Sequence, residues 1–265
     1  MTSPIEPRTA SLYHAPRAAA VEPATAAAIV AAAIAGYLVV NQLVPTELRF
    51  VAAQLALAVV GGIAAVIAAP ARPLAALGVR GARPRYFAAA VLIGATTWYV
   101  NAWLVAWLVQ HLSLPDGHIQ HLKGLVDRPA MARALAAFAL LPAVCEELVF
   151  RGVLARSLGR HRSLLVAAAV SAAMFSAYHL SPVQALPTFT LGLALGAIAI
   201  RADSVLPTML AHAINNAMAI AMSRGALATA ATWLDGHPVI ALVGCASATA
   251  GGLAIALYGP DHGPD

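Results

Sequence analysis

Residues 50–69 read FVAAQLALAVVGGIAAVIAA, twenty positions without one charged side chain. At 1.5 Å per residue, a helix of that length matches the thickness of a bilayer's hydrocarbon core. The stretch therefore predicts a membrane-crossing helix, and similar runs flank it on both sides. They extend over residues 24–44, 86–109, 130–158, 164–180, 183–200, 206–222 and 239–258. Turn and cap residues separate them, among them Pro45, Pro70, Pro115, Pro182, Asp203 and Gly236. Together they predict an all-α, polytopic membrane protein, a bundle of about eight transmembrane helices.

Composition leads to the same class. Of 265 residues, 10% are charged and 61% are hydrophobic, and the mean hydropathy is +0.79. Soluble domains carry about a quarter of their residues as charges, so lipid must cover much of this chain. The net charge of +5 forms no basic face interleaved with aromatics, which excludes nucleic acid as a partner and leaves the lipid bilayer. Lys and Arg are retained on the cytoplasmic side of a membrane. With a cytoplasmic N-terminus, Arg8, Arg17, Arg72, Arg80, Arg83, Arg85, Arg156, Arg160, Arg162 and Arg201 share one side. Only Arg49, Lys123, Arg128 and Arg224 fall on the other. Both termini are therefore expected in the cytoplasm, and the Ala-rich style points to a bacterial cytoplasmic membrane. The first run is too long for a signal peptide and is read as a retained span behind a polar leader, residues 1–23. Cys145 and Cys245 lie in apolar runs, so neither a disulfide framework nor a Cys-x-x-Cys metal site is available.

The run over 130–158 departs from its neighbours, because Cys145-Glu146-Glu147-Leu148-Val149-Phe150-Arg151 sets two carboxylates and a guanidinium in an apolar helix. Each charge at a helix centre costs about 2.5–3.5 kcal/mol to insert, so the three ask for pairing, water or a function. Glu147 and Arg151 are spaced i,i+4 and can pair as a packing device. Glu146 remains, projecting roughly 100° away towards another neighbour. Pro142 removes a helix hydrogen bond and is expected to bend the segment and open a wet pocket.

Two further segments carry imidazoles, Phe175-Ser176-Ala177-Tyr178-His179 and His212-Ala213-Ile214-Asn215-Asn216. A lone membrane histidine is more often an interhelical hydrogen bonder than a catalyst. Depth argues otherwise here. From a turn near His161, Glu146 and His179 both lie roughly 22–27 Å along their helices. From a turn near Asp203, His212 and Asn216 lie roughly 14–20 Å along theirs, on one face. A carboxylate, two imidazoles and a carboxamide meeting in one layer could hydrolyse an amide. Glu146 would take a proton from water, and an imidazole N–H with the Asn amide would receive the oxyanion. The same groups could instead ligate a metal such as zinc through Glu146, His179 and His212.

These segments resemble the CAAX protease and bacteriocin-processing family of intramembrane proteases, which includes the type II CAAX prenyl endopeptidase. The pattern EExxxR is met by Glu146, Glu147 and Arg151, FxxxH by Phe175 and His179, and HxxxN by His212 and Asn216. Gly192, Gly196, Ser204 and Pro207 also follow the family's spacing. The resemblance implies a catalytic core over residues 131–222, with peripheral spans over 24–130 and a last helix and tail over 223–265. It implies an endopeptidase in which Glu146 activates water, helped by His179 or His212, while His212 and Asn216 steady the oxyanion. Glu147, Arg151 and Phe175 would support them, with a divalent metal or with none. The substrate implied is a peptide or protein, lipid-modified ones included, cleaved in C-terminal processing or in bacteriocin processing or immunity.

Other protease classes fit less well. No histidine is followed by glutamate, so HExxH is absent, and neither Gly-x-Ser nor Gly-x-Gly-Asp stands in a span. Cys145 beside Glu146 reads as a small core residue rather than a thiol nucleophile. His111, His118 and His121 gather in what reads as a solvated loop. The rival from another class is a transporter or scaffold using the same groups as a proton or ion site, but no internal repeat supports it. Gly192 and Gly196 would let two helices pack closely under either reading.

Overall fold

The computed structural model describes residues 21–259. Most of the leader expected over 1–23, with Arg8 and Arg17, lies outside the described residues, as do the tail from 260 and the side chain of His118. The described residues form helices and their connections: α1 (Pro23–Leu43), α2 (Thr46–Ala68), α3 (Pro73–Ala76), α4 (Pro84–Leu112) and α5 (Gly117–Asp127). There follow α6 (131–161), α7 (Leu164–Tyr178), α8 (Pro182–Ala202), α9 (Leu206–Ser223), α10 (Ala228–Gly236) and α11 (Pro238–Tyr258). Proline opens α1, α3, α4, α8, α9 and α11, where its missing N–H is one the helix leaves unbonded anyway. Left-handed residues end α4 and α8, at Ser113 (φ 51°) and Asp203 (φ 48°).

Each of the eight apolar runs is a helix, and the protein is an integral membrane protein. Five helices are long and apolar enough to cross a bilayer, namely α1, α2, α4, α8 and α11. The other three fall short for separate reasons. Helix α7 has 15 residues, α9 is diluted by His212, Asn215 and Asn216, and α6 changes its winding along its length.

Two expectations need correction. The segment around His118 and His121 is the helix α5 rather than a loop. Leu122 and Val126 pack it against Ala134, Ala139 and Ile220 of α6 and α9, and that apolar stripe is the reason it winds. His111 ends α4, hydrogen-bonded to Trp107 O at 3.0 Å. The second correction concerns His179, which caps α7 instead of lying within it. Leu180 turns left-handed (φ 50°), and Ser181 is extended ahead of Pro182, as a residue preceding proline must be.

Helix α6 positions the site. It is α-helical over Met131–Leu135, Leu141–Glu146 and Arg156–His161, with π-helical stretches over Ala136–Leu140 and Glu147–Ala155. Such wide turns leave the ordinary i→i−4 ladder, and they cluster at functional positions. Pro142 has no N–H to return to Phe138 O, and that carbonyl accepts a long hydrogen bond from Asn216 Nδ2 at 3.4 Å. Proline is thus absorbed by rewinding and by a cross-helix donor.

Small residues bring the helices together. A Cβ on Gly192 would stand 3.0 Å from Ala172 Cβ, and one on Gly196 3.2 Å from Ala168 Cα, so the pair seats α8 against α7 as expected. A Cβ on Gly61 would stand 2.7 Å from Val149 Cγ2, so only glycine lets α2 approach α6 this closely. At one end of the bundle Arg156, 2% exposed, donates to Asp203 Oδ1 at 2.9 Å and to Ala75 O at 2.9 Å. Arg80 joins Asp203 at 2.7 Å, and Val205 N bonds Gly78 O at 3.0 Å. These contacts clamp the linker between α2 and α4 to the turn from which α9 starts, and so set the depth of His212.

Candidate active site

Three charged side chains of α6 are buried together: Glu146 is 3% exposed, Glu147 and Arg151 are 0% exposed. Glu147 Oε1 lies 2.9 Å from Arg151 Nη1, the i,i+4 pair expected from the sequence. The Arg151 guanidinium also covers the Phe175 ring of α7, 4.1 Å from its centroid. Phe175 therefore screens the pair from the neighbouring helix while supplying the ring face a buried cation prefers.

His212 reaches this pair from α9. Its Nδ1 stands 2.9 Å from Glu147 Oε1, and its Nε2 stands 3.9 Å from Glu146 Oε2. A carboxylate offers only lone pairs, so the Nδ1 proton belongs on the histidine and is donated to Glu147. In the neutral imidazole Nε2 is then an acceptor, and it faces another acceptor across a gap too long for a hydrogen bond. The spacing is one that a single water, donating a hydrogen to each side, could bridge.

Glu146 has a second partner that sequence reasoning passed over. Gln54 of α2, 2% exposed, donates from Nε2 to Glu146 Oε1 at 2.8 Å. The only signal for it was an amide in a helix that is otherwise apolar at that depth, without any motif around it.

His179 donates from Nδ1 to Phe175 O, 2.8 Å away. Because a carbonyl only accepts, Nδ1 carries the proton and Nε2 is left as the acceptor. Both imidazoles meet the Phe175 ring edge-on, His179 at 4.7 Å and His212 at 6.0 Å between centroids, and His179 lies within electrostatic reach of Glu146 and His212. Asn216 lies one turn beyond His212, with its amide on Phe138 O and its Oδ1 accepting from Asn215 Nδ2 at 3.2 Å. Six of the seven expected residues, Glu146, Glu147, Arg151, Phe175, His179 and His212, are thus joined by direct contacts. Asn216 reaches them through Phe138 O of α6.

The donor set fits a metal ion poorly. Among the described residues no three His, Cys, Asp or Glu side chains stand close enough to hold one, and His212 Nδ1 is committed to Glu147. The two cysteines are free, Cys145 buried and Cys245 half-buried.

A buried carboxylate set against an imidazole inside a helical membrane bundle is the equipment of an intramembrane hydrolase. The family model described as Type II CAAX prenyl endopeptidase Rce1-like matches residues 128–218, so this segment is a domain of that family and the chain is an intramembrane protease. The match covers about a third of the chain and contains every site residue expected from the sequence. Gln54 lies outside it. No curated protein and no solved structure gives a match.

Proposed function

We propose that the chain cleaves a peptide bond within the bilayer through a water held between Glu146 and His212, in a catalytic core over residues 131–222. The observation that carries this reading is the pair of opposed acceptors, Glu146 Oε2 and His212 Nε2, 3.9 Å apart. A water donating to both is oriented with its lone pairs outward, towards an incoming carbonyl carbon. Glu146 takes one proton as the O–C bond forms, the general-base step that water requires at neutral pH. Glu147 holds the histidine tautomer from behind, the part a third group plays wherever a base must be aimed. The Asn216 amide, which has a second hydrogen beside the one on Phe138 O, is the donor for the oxyanion. Glu146 then hands the proton it took from water to the leaving amine, with the unprotonated Nε2 of His179 as a relay.

The partners are the lipid bilayer and a peptide or protein substrate, lipid-modified substrates included. C-terminal CAAX-like processing and bacteriocin processing or immunity both suit the site. The location is a bacterial cytoplasmic membrane with both termini inside. In proteoliposomes carrying a quenched fluorogenic peptide, farnesylated at a C-terminal CAAX cysteine, Glu146→Ala, His179→Ala and His212→Ala are each expected to abolish cleavage. Each variant should keep the parental melting profile. Retained cleavage in the Glu146 variant eliminates the mechanism, and flux of protons across the vesicles in its place points to the transporter reading.

A further inference from the structure

We infer that Gln54 is a positioning residue for Glu146, supplied by a helix outside the family-matched segment. The inference rests on the reading of Glu146 as the base. The buried face of α2 runs Gln54, Leu57, Gly61 and Ala65, spaced three, four and four, which is one side of a helix. Gln54 is the single polar group on that face. It costs more to bury than the leucine or methionine that would fill the same volume, unless its amide is hydrogen-bonded.

Its amide is hydrogen-bonded, and to one oxygen only. Glu146 Oε1 accepts from Gln54 Nε2 at 2.8 Å, while Glu146 Oε2 has no hydrogen-bond partner in the protein. The carboxylate accepts and cannot donate, so the amide nitrogen must face it, and Gln54 Oε1 is left as a further buried acceptor without a protein partner. The consequence is an asymmetric carboxylate. Oε1 is tethered across to α2, and Oε2 is the oxygen turned to His212 Nε2. An untethered carboxylate on a two-methylene stem would rotate, exchange its oxygens and lose the alignment on which a near-attack water depends. The close packing of Gly61 on Val149 one helical stretch further along keeps α2 near enough for the tether.

The test uses the full chain in proteoliposomes with the same farnesylated fluorogenic peptide. Gln54→Met keeps the volume and removes the donor. It is expected to lower kcat about 10- to 100-fold, as a misplaced catalytic group does, with KM changed less than about twofold. A second readout is independent of turnover. The infrared carboxylate stretch of Glu146, assigned by subtracting the Glu146→Gln spectrum, is expected to shift in Gln54→Met because its hydrogen bond is gone. Gln54→Asn keeps the amide one methylene short, is expected to show the same shift, and serves should the Met variant not fold. An unshifted band together with parental kcat in a folded variant overturns the inference. Should Glu146→Gln cleave as well as the parent, the hydrolytic reading fails instead, while the band still reports whether Gln54 holds the carboxylate.

Discussion

At the scale of single residues, the Glu147–Arg151 pair has to be judged against its burial. Both side chains are 0% exposed, and the return on such a pair is small once desolvation is counted, whereas removing one partner strands the other. Arg151→Ala is therefore expected to destabilise the protein by about 3–5 kcal/mol. The measurement is the melting midpoint and yield of the monodisperse peak in detergent, and a normal melt would count against the pairing. A double variant, Glu147→Gln with Arg151→Met, removes both charges and is expected to recover most of the fold while remaining inactive, since His212 loses its carboxylate. The poor metal geometry makes a third prediction. Dialysis against a strong chelator is expected to leave cleavage unchanged, with no stoichiometric zinc by elemental analysis. Loss of activity restored by added zinc would reverse this reading of the donors. The pair and the His212 helix were legible in the sequence because charge in an apolar run and i,i+4 spacing are local facts. Gln54 was not, because its partner lies 92 residues away and a single amide in an Ala-rich helix announces nothing.

At the scale of helices, apolar run length located all eight, since hydropathy is summed over many residues and survives local irregularity. The winding of α6 is a different matter. Pro142 foretold a disturbance there, but its form, π-helical turns on both sides of Leu141–Glu146, depends on which neighbours can take up the displaced carbonyls. Asn216 from α9 is one of them. Pro142→Ala restores an N–H that competes with Asn216 for Phe138 O. The variant is expected to melt no lower than the parent, since proline is the worst residue for a helix interior, yet to lose about tenfold in kcat as Asn216 is released. A drop in melting midpoint with full activity would show the opposite division of labour. Gly61→Ala tests the approach of α2 to α6. A Cβ there meets Val149 at 2.7 Å, and overpacking of this kind costs about 1–3 kcal/mol. Its kcat should fall alongside that of Gln54→Met, because both variants loosen the same tether. His179 shows the limit of helix-level reading. A run of hydrophobicity continues through Leu180, but the chain leaves the helix at Tyr178 because Pro182 dictates the backbone before it.

At the scale of the whole molecule, the chain turns sort into two ends of unlike character. One end gathers the linker with Arg72, Arg80 and Arg83, the α6–α7 turn with Arg162, and the α8–α9 turn with Arg201 and Asp203. Arg156 and Arg80 both pair with Asp203 there, so the clustering is a matter of direct contact as well as of topology. The other end carries fewer cations, Arg49, Lys123, Arg128, Arg133 and Arg224, with Trp103, Trp107 and Trp233 exposed near it. Amphipathic rings of that kind favour a headgroup level. Because retention of Lys and Arg decides orientation, the arginine-rich end is expected to face the cytoplasm, and α3 with it. The check is a single-cysteine survey in a background where Cys145 and Cys245 are alanine. A cysteine at Ser163, in the α6–α7 turn, should react with a membrane-impermeant maleimide only in inside-out vesicles. One at Ser113, past the end of α4, should react only in right-side-out vesicles. Reversed labelling would invert the molecule, and with it the face from which a substrate's cleavable end reaches Glu146. The hydrolytic chemistry would be untouched by that result, because the Glu146, His212 and Gln54 contacts are internal to the bundle and refer to neither side of the membrane.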